Sequence, residues 1–395
     1  MRMRYLYAMI LFAAALAYPV MALHAMGNPI AGQTVSNASK ETEIERLEKL
    51  LSQYRSLETQ GGWPAFTVGS KIEPGDYDQR VETIREILTL MGDLKPEDER
   101  KSDDEEAPPP FYGEALVEAV KRFQHRHGLE ADGVIGRETQ NALSVPVSKR
   151  IRQIEGTLTR LQAFSPDPSE PRLIVVNIPE FMLRAYQDGK EMESMKVVVG
   201  TRKDQTPQFT RNMTYVSFNP HWGVPIRIAA EEMLPKIMED PEFFAKQDFA
   251  VYELTEEGRH EIDPASIDWS QYGKDHFPFL LRQRPGKGNA LGKIKFGLKD
   301  SNAIYLHDTS APKYFERDVR AFSHGCIRVE KPYELAKFVF GGHEKITPDR
   351  MDALYQGDES RIITIGSIPV HTVYFSAWAD SEGTAHFRKD VYGLD

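Results

Sequence analysis

In the stretch Phe322-Ser323-His324-Gly325-Cys326-Ile327-Arg328 stands the only cysteine of this 395-residue chain. A single cysteine cannot form an internal disulfide, and outside the cytoplasm a free thiol is exposed to oxidation. A free thiol in a protein outside the cytoplasm therefore indicates that the sulfur takes part in a reaction. As a thiolate it attacks carbonyl carbons, provided that a base or a cation lies nearby and that hydrogen-bond donors face the developing oxyanion.

The N-terminus predicts export. Arg2 and Arg4 precede an apolar run from Tyr5 to Val20, and small residues follow, which is typical of a signal peptide over residues 1–22. The apolar run is close to the lower limit for crossing a bilayer, about 17 residues, so an uncleaved anchor in the inner membrane is the alternative. We expect the protein to be periplasmic.

The charge balance excludes one class of partner. The net charge of −10 becomes −12 without residues 1–22, because two arginines and no acidic residues are removed. Nucleic acid binds basic surfaces, so we expect no nucleic-acid partner. We also expect no cofactor, and no metal at His307, His324 and Cys326, because zinc prefers more thiolates or carboxylates at a clear spacing.

The first 171 residues read as helical. Apolar residues recur at steps of three and four from Thr42 to Glu58, over 79–94 and over 150–163. These segments predict the following order: a flexible leader (23–40), a scaffold segment (41–78), a helical module (79–145) with a charged, proline-ending insert (95–110), and a scaffold helix with a linker (146–171).

The module carries an ordered set of turn and core residues. They are Ala119-Val120-Lys121-Arg122-Phe123-Gln124, Gly128-Leu129, Asp132-Gly133-Val134-Ile135-Gly136 and Thr139. Gly128 can end a helix in a left-handed conformation, and Asp132-Gly133 predicts a tight turn. This set resembles the three-helix peptidoglycan-binding module. A generic helical hairpin is the alternative, and the insert departs from the compact module.

After Pro171 the pattern changes to strands. Leu173 to Ile178 and an Asp188-Gly189 hairpin turn begin this part, and further strands are predicted at Ile304–Leu306, Ile362–Ile365 and Thr372–Ser376. A long aromatic-rich segment at about 225–285 predicts a folded lid. We therefore expect a multidomain α+β protein, with a β-rich catalytic domain (172–368), a helical capping insertion within it, and closing strands (369–395) that belong to the scaffold.

Residues near the cysteine offer the groups that its chemistry needs. His307 lies at the end of an apolar strand and is the candidate base. Gly325 lets the backbone approach a substrate closely, and the N–H groups of Gly325 and Cys326 are candidate oxyanion donors.

The spacing of these residues resembles a known signature. His307, followed after 15 residues by Ser323-His324-Gly325-Cys326-Ile327-Arg328, is similar to the motif of L,D-transpeptidases with a YkuD-type catalytic domain. Further matching stretches place the chain near the long, periplasmic YcbB-like members over roughly residues 42–395. These stretches are Gly286…Asn289-Ala290-Leu291-Gly292-Lys293-Ile294-Lys295-Phe296, Asn219-Pro220…Trp222-Gly223-Val224-Pro225 and Tyr374…Ala377-Trp378…Asp390-Val391-Tyr392-Gly393.

The resemblance implies roles for the catalytic residues. Cys326 is the nucleophile, and His307 forms a thiolate–imidazolium pair with it and later deprotonates the acceptor amine. The backbone carbonyl of Asp308 orients His307. Arg328 holds a substrate carboxylate, which a guanidinium matches with two hydrogen bonds, although a surface position or a pair with Glu330 is the alternative.

The remaining candidates lie around the substrate. Ser323 and His324 are expected beside the site, and a structural histidine is an equal alternative for His324. Trp222 lines the donor site or packs in a core. Tyr305 is placed on the substrate side, although packing is favoured over catalysis for both Tyr305 and Tyr314.

The reaction that the resemblance implies is acyl transfer in cell-wall biogenesis, with a role in cell shape. The cysteine attacks the carbonyl of the diamino acid in a tetrapeptide stem, D-alanine leaves, and the amine of a second stem resolves the thioester as a 3→3 crosslink. Expected partners are peptidoglycan stems and glycan, other cell-wall synthesis proteins, and carbapenem-type β-lactams as covalent inhibitors. Alternatives are L,D-carboxypeptidase or amino-acid exchange activity, lipoprotein attachment, and a non-catalytic wall-binding protein.

Overall fold

The structure is a computed structural model that describes residues 37–95, 110–167, 169–240, 242–300 and 304–395. The predicted signal peptide, nearly all of the predicted leader and nearly all of the charged insert at 95–110 lie outside the described residues. Within the described ranges, no helix has the length and apolar character needed to cross a membrane.

Helices make up the N-terminal part of the described chain. They are α1 (Asn37–Thr59), α2 (Arg80–Leu90), α3 (Glu114–Arg126), α4 (Arg137–Leu143) and α5 (Val147–Ala163). α1 packs against α5, and their apolar faces share one core with the module. α1 starts at Asn37, so its first turn takes in the last residues of the predicted flexible leader.

The turn residues of the module act through one buried glutamine. The Gln124 amide donates to Asp132 Oδ1 and to the Val134 carbonyl, both at 2.9 Å, and its oxygen accepts the Gly133 N–H at 2.9 Å. Gly128 and Gly133 have φ angles of +70° and +77°, the left-handed region that favours glycine. The motif therefore holds the turn after α3 against the helix itself.

The rest of the chain is rich in strands. They are β1 (Arg172–Asn177), β2 (Met182–Gln187), β3 (Lys190–Gly200), β4 (Phe209–Phe218), β5 (Trp222–Gly223), β6 (Phe249–Thr255), β7 (Gly258–Ile262), β8 (Phe279–Gln283), β9 (Ile294–Leu298), β10 (Leu306–His307), β11 (Ala321–Ser323), β12 (Ile327–Val329), β13 (Arg361–Val373), β14 (Ala377–Ala379) and β15 (Ala385–Phe387). The helices of this part are α6 (Ile226–Ile228), α7 (Leu234–Glu239), α8 (Phe243–Lys246), α9 (Pro332–Phe340) and α10 (Pro348–Gln356).

Nine strands form the main sheet in the order β11-β3-β12-β10-β9-β4-β13-β1-β2, and an additional β2–β3 pairing joins its two ends. The buried side of this sheet and α9 share a second core. The two strands predicted at Ile362–Ile365 and Thr372–Ser376 are not separate. They are largely one strand, β13, which absorbs a register irregularity between Thr364 and Ile368 and so stays paired to β4.

The capping insertion is folded, and it is not purely helical. α6 continues as a π-helical turn at Ala229–Met233 into α7, and β5, β8, β6 and β7 form a separate four-stranded sheet. Phe244, Trp269 and Phe279 pack in a third core that belongs to this insertion. The sequence missed its strands because β7 and the end of β6 are exposed on both faces, which removes the hydrophobic alternation.

The closing strands β14 and β15 pair with each other and pack on the N-terminal helices. The Ala377 N–H donates to Thr157 Oγ1 of α5 at 3.3 Å, and the Ala379 N–H donates to Glu43 Oε1 of α1 at 3.2 Å. The two ends of the described chain therefore share one hydrophobic core.

Candidate active site

Strand register brings the cysteine and the histidine motifs together. β10 and β12 are parallel neighbours, with Leu306 opposite Ile327 and His307 opposite Arg328. The Ile327 N–H donates to the Tyr305 carbonyl at 3.1 Å. Because side-chain positions advance together along paired strands, Tyr305 lies beside Cys326, which ends the loop before β12.

The sulfur of Cys326 lies among hydrogen-bond donors and positive charges. Burial raises the pKa of the Cys326 thiol, while hydrogen bonds from the backbone and the side chain of Tyr305 lower it, as do the charges of Lys295 and Arg328. Cys326 itself is partly exposed. The neighbouring donors and positive charges thus stabilise the thiolate form of Cys326, and burial destabilises it.

His307 is buried and oriented by the backbone. Its Nδ1 lies 2.5 Å from the Asp308 carbonyl oxygen. A carbonyl only accepts, so Nδ1 carries the proton and Nε2 is the acceptor in the neutral ring. Burial and then the charge of Arg328 lower the pKa of His307 to about 3. Burial therefore favours the neutral ring of His307, with Nε2 as its acceptor, and the thiolate–imidazolium pair stays a prediction from the resemblance.

The Asp308 side chain has a structural task. Its Oδ2 accepts the Lys293 N–H and its Oδ1 accepts the Thr309 N–H, both at 2.7 Å. A Cβ on Gly292, whose φ is +59°, would lie 2.3 Å from the Asp308 carboxyl carbon, so glycine is required there. The carboxylate thus fixes the loop that presents the Asp308 carbonyl to His307.

Ser323 and Gly325 stabilise the cysteine loop from within. Ser323 is 2% exposed, and its Oγ donates to the Cys326 carbonyl at 2.5 Å and accepts the Gly325 N–H at 3.2 Å. Ser323 thus lies within the loop, and its Oγ engages the Gly325 N–H; the substrate contact expected of Ser323 and the oxyanion role expected of Gly325 stay predictions. Gly325 is needed for its φ of +104°.

Arg328 is half-buried on the same side of the sheet. Its guanidinium carbon lies 5.7 Å from the centre of the Tyr314 ring, and burial lowers the pKa of Arg328. The Glu330 carboxylate accepts the Lys196 N–H at 3.0 Å, and among the described residues Arg328 forms no ion pair with Glu330. Tyr314 thus packs on the guanidinium, as expected of a packing residue.

Two predicted residues connect the site to the capping insertion. His324 Nε2 lies 2.6 Å from Glu232 Oε1, in the π-helical turn of the insertion. The Trp222 side chain of β5 is hydrogen-bonded to the Tyr305 side chain, which in turn is hydrogen-bonded to Cys326. Trp222 and Tyr305 therefore belong to the site, and His324 contacts the insertion through a carboxylate that the sequence did not point to.

Lys295 is a site residue that the sequence analysis missed. It pairs with His307 across β9 and β10, and its Nζ lies 3.9 Å from the centre of the Tyr305 ring. Burial lowers the pKa of Lys295, and the charge of Cys326 opposes this shift. The sequence signal that could have indicated a site role for Lys295 is its place in the matching stretch from Asn289 to Phe296, one residue before the buried Phe296 of β9.

No group of three or more His, Cys, Asp or Glu side chains within the described ranges is placed to hold a metal ion. The polar chemistry at Cys326 comes from the side chains and backbone groups of β9, β10, β12 and β5.

Two protein-family models match parts of this chain. Residues 171–347 match the YkuD family model, an L,D-transpeptidase catalytic domain, and residues 78–143 match a family model described as "Putative peptidoglycan binding domain". A relative from Haemophilus influenzae named "Putative L,D-transpeptidase" is 33% identical over 284 residues, which cover 71% of this chain and 57% of the relative. The match thus spans less than two thirds of the relative's length.

Solved structures show weaker similarity. An L,D-transpeptidase from Mycobacterium smegmatis is 15% identical and covers 52% of this chain and 59% of its own, with a TM-score of 0.24. L,D-transpeptidase 3 from Mycobacterium tuberculosis, in complex with a faropenem-derived adduct, is 12% identical and covers 51% and 60%, with a TM-score of 0.25. TM-scores this low do not by themselves establish a common fold.

Residues 171–347 are therefore similar to a YkuD-type L,D-transpeptidase catalytic domain, and residues 78–143 are similar to a peptidoglycan-binding domain, within the α+β architecture described above.

Proposed function

We propose that the protein is a peptidoglycan L,D-transpeptidase that forms 3→3 crosslinks through a thioester on Cys326. The observation that supports the proposal is the parallel pairing of β10 and β12, in which His307 lies opposite Arg328 and the Tyr305 carbonyl accepts the N–H of Ile327, the residue after Cys326. The family match supports transpeptidase chemistry, and the residue roles are inferred from the geometry.

Acylation begins with proton transfer from the thiol to His307. Because Nδ1 is held by the Asp308 carbonyl, Nε2 is the nitrogen that takes the proton. Positive charge on Lys295 and Arg328 stabilises the thiolate. The sulfur then bonds to the carbonyl carbon of the third stem residue, the bond to D-alanine breaks, and His307 returns the proton to the leaving amine.

The Tyr305 hydroxyl is the side-chain donor closest to this reaction. It is hydrogen-bonded to Cys326 and supported from behind by Trp222. When the sulfur becomes acylated, the same hydroxyl can donate a hydrogen bond to the oxyanion that develops next to it. The Gly325 N–H already donates to Ser323 Oγ. We therefore assign Tyr305 to oxyanion stabilisation and Trp222 to holding it.

The open guanidinium of Arg328 suits a carboxylate of the donor stem, because it is half-buried and has no carboxylate partner among the described residues. The capping insertion lies over the cysteine loop through Glu232 and His324. A cover there reduces access of water to the thioester, which favours an amine acceptor over hydrolysis.

The proposal includes a periplasmic location, where stem peptides occur, and acylation of Cys326 by carbapenem-type β-lactams. Carboxypeptidase, exchange and lipoprotein-attachment activities use the same thioester and differ only in the acceptor. The reaction products on isolated stems distinguish these outcomes from crosslinking.

The test combines intact-mass analysis with muropeptide analysis. Purified protein incubated with a carbapenem or a tetrapeptide donor should gain one adduct on Cys326, and isolated stems should yield 3→3 dimers. Cys326→Ala should lose both while still sedimenting with sacculi. Crosslinking by Cys326→Ala would overturn the enzyme assignment, and tripeptides without dimers would replace crosslinking with trimming.

A further inference from the structure

A cleft of about 670 Å³ separates the peptidoglycan-binding module from the main sheet. The module contributes residues 127–130 and part of 138–145, and the catalytic domain contributes residues 179–182, 196, 316 and 318–320. Residues 387–389 close a third side. This volume lies within the usual range for ligand sites, about 300–1,000 Å³. None of the residues assigned above to the reaction line the cleft.

Three arginines give the cleft a cationic floor: Arg150, Arg320 and Arg388. Among the described residues none of them forms an ion pair. They donate instead to neutral acceptors, namely the Gln153 side chain and the carbonyls of Ala142, Phe181, Val197, Arg317, Arg126 and Phe387. Burial lowers the pKa of Arg150 to about 9 and that of Arg388 to about 10.

The carboxylate nearest to this floor is already committed. Glu180 lines the cleft, but its two oxygens accept hydrogen bonds of 2.8 and 2.7 Å from Arg184. The charge of Glu180 acts on Arg320 and Arg388, and the charges of Glu330 and Asp318 act on Arg320, but none of these carboxylates forms an ion pair with them among the described residues. A buried cation without an ion-pair partner gains from an anion that brings its own hydrogen-bond acceptors. The floor therefore suits a ligand carboxylate.

The rim of the cleft has the opposite charge. Asp318 of the catalytic domain is exposed and faces Glu130 of the module, and burial followed by the charge of Glu130 raises the pKa of Asp318. Glu138 stands on the same rim, where it pairs with Lys389 at 3.3 Å. Like charges from two domains repel each other, and a cation between them relieves that repulsion.

A buried histidine gives an independent indication of a ligand. His127 lines the cleft, is 6% exposed and holds its Nδ1 2.7 Å from the Phe123 carbonyl. Its Nε2 is buried and has no hydrogen-bond partner. Burial holds the pKa of His127 well below its ordinary value, so Nε2 is an unused acceptor. Such orphaned groups are uncommon in folded proteins.

We propose that this cleft binds a stem peptide of the peptidoglycan strand that the module holds, an inference that rests on the proposed function. The stem carboxylates face the three arginines, the ammonium group of the diamino acid faces Asp318 and Glu130, and an amide N–H reaches His127. The segment 316–320 continues directly from Tyr314, which packs on Arg328. A strand anchored in the cleft is thereby held close to the reacting cysteine.

The test uses the full chain with Cys326→Ala, so that binding is measured without turnover. The probes are purified sacculi in a pelleting assay and a disaccharide tetrapeptide in a titration. One variant reverses the rim (Asp318→Lys with Glu130→Lys), and another fills the cleft from an exposed module position (Asn141→Trp). The control, Glu82→Lys with Glu86→Lys, makes the same charge change on exposed positions of α2 outside the cleft.

Both cleft variants should bind each probe at least tenfold more weakly, and the control should stay within twofold. Equal binding by cleft and control variants overturns the proposal, and so does a loss confined to the control. With Cys326 restored, acylation by a soluble carbapenem should stay within twofold in every variant, and a parallel loss there also overturns it. Absence of any acylation in the unmodified chain would refute the proposed function and leave the binding comparison intact.

Discussion

Different interactions stabilise the two halves of the candidate active site. The half that carries the reacting groups lies on β10 and β12, where Leu306, Ile327 and Val329 are 0% exposed. The covering half is the capping insertion, which has its own aromatic core and contacts the site through Trp222 and through exposed polar pairs. One is Glu232 with His324, and a neighbouring pair is Arg227 with Asp204 at 2.8 Å.

The strands fix the positions of the reacting groups, and the insertion controls the access of water to them. Buried apolar strands hold reacting groups in a fixed register, since a slip would expose the core. Exposed ion pairs contribute only about 0.2–1 kcal/mol each, so the polar pairs at Glu232 and Arg227 add little to the hold of the insertion on the site. Each prediction below tests one half against the other.

The largest effect is expected at the contact where the two halves meet. Tyr305→Phe removes the hydroxyl that touches Cys326 and that Trp222 supports. Acylation should slow by about 10²–10³, the usual cost of losing one oxyanion donor. Rates of adduct formation by mass spectrometry give the measurement, with Tyr77→Phe as the exposed-tyrosine control. A change below threefold would remove Tyr305 from the chemistry.

The next effect concerns the charge behind the sulfur. Lys295→Met removes a cation that lowers the pKa of Cys326, so that pKa should rise. Acylation at pH 7 should fall about tenfold, consistent with losing one nearby charge in a partly buried site. The loss should shrink at higher pH, which a full pH–rate profile reveals. Lys299→Met, at an exposed position after β9, is the control. A pH-independent loss would indicate damage to the fold instead.

We expect low pH to destabilise the half that carries His307 more than the capping insertion. The folded-state pKa of His307 is lowered to about 3, so its stabilising contribution is present above the ordinary histidine pKa and is lost as the pH falls through the folded value. Each pH unit in that window costs about 1.4 kcal/mol. Hydrogen-exchange protection factors, which are corrected for the intrinsic exchange rate at each pH, should fall in β10 and β12 between pH 6 and 4 relative to those in β6 of the insertion. An equal fall in both would contradict the comparison.

The smallest effect is expected for the cover. Glu232→Gln removes the charge that faces His324 but keeps a hydrogen-bonding side chain. We expect less than about 1 kcal/mol in stability, as for other exposed pairs, and an acylation rate within twofold. The ratio of hydrolysed to crosslinked product should rise, because the cover shields the thioester. Glu239→Gln, exposed at the end of α7, serves as the control, and an unchanged ratio would show that this contact does not exclude water.

Much of the molecule could be predicted from the sequence where signals are local. The turn glycines Gly128 and Gly133, the helical N-terminal part and the motif around Cys326 follow from short spacing rules. The contact between His307 and the Asp308 carbonyl was also predicted, and the structure places it at 2.5 Å. The catalytic roles of both residues stay predictions until the variants are measured.

Other features depend on residues far apart in the chain. The engagement of the Gly325 N–H by Ser323 is local but needs a loop conformation that spacing does not specify. Lys295 reaches the site only through the antiparallel pairing of β9 with β10, and Glu232 only through the fold of the insertion. No periodicity in one segment encodes these pairings.

The sequence by itself indicated a class of chemistry, through the family resemblance that His307 and the run from Ser323 to Arg328 carry. It also determined the module, since turn residues act within a few positions of one another. The tertiary structure decided which donors face the sulfur, what covers it, and that the module and the catalytic sheet enclose a charged cleft. The physical reason is that charge, burial and hydrogen-bond geometry act through space, and only the packed strands and domains set those distances.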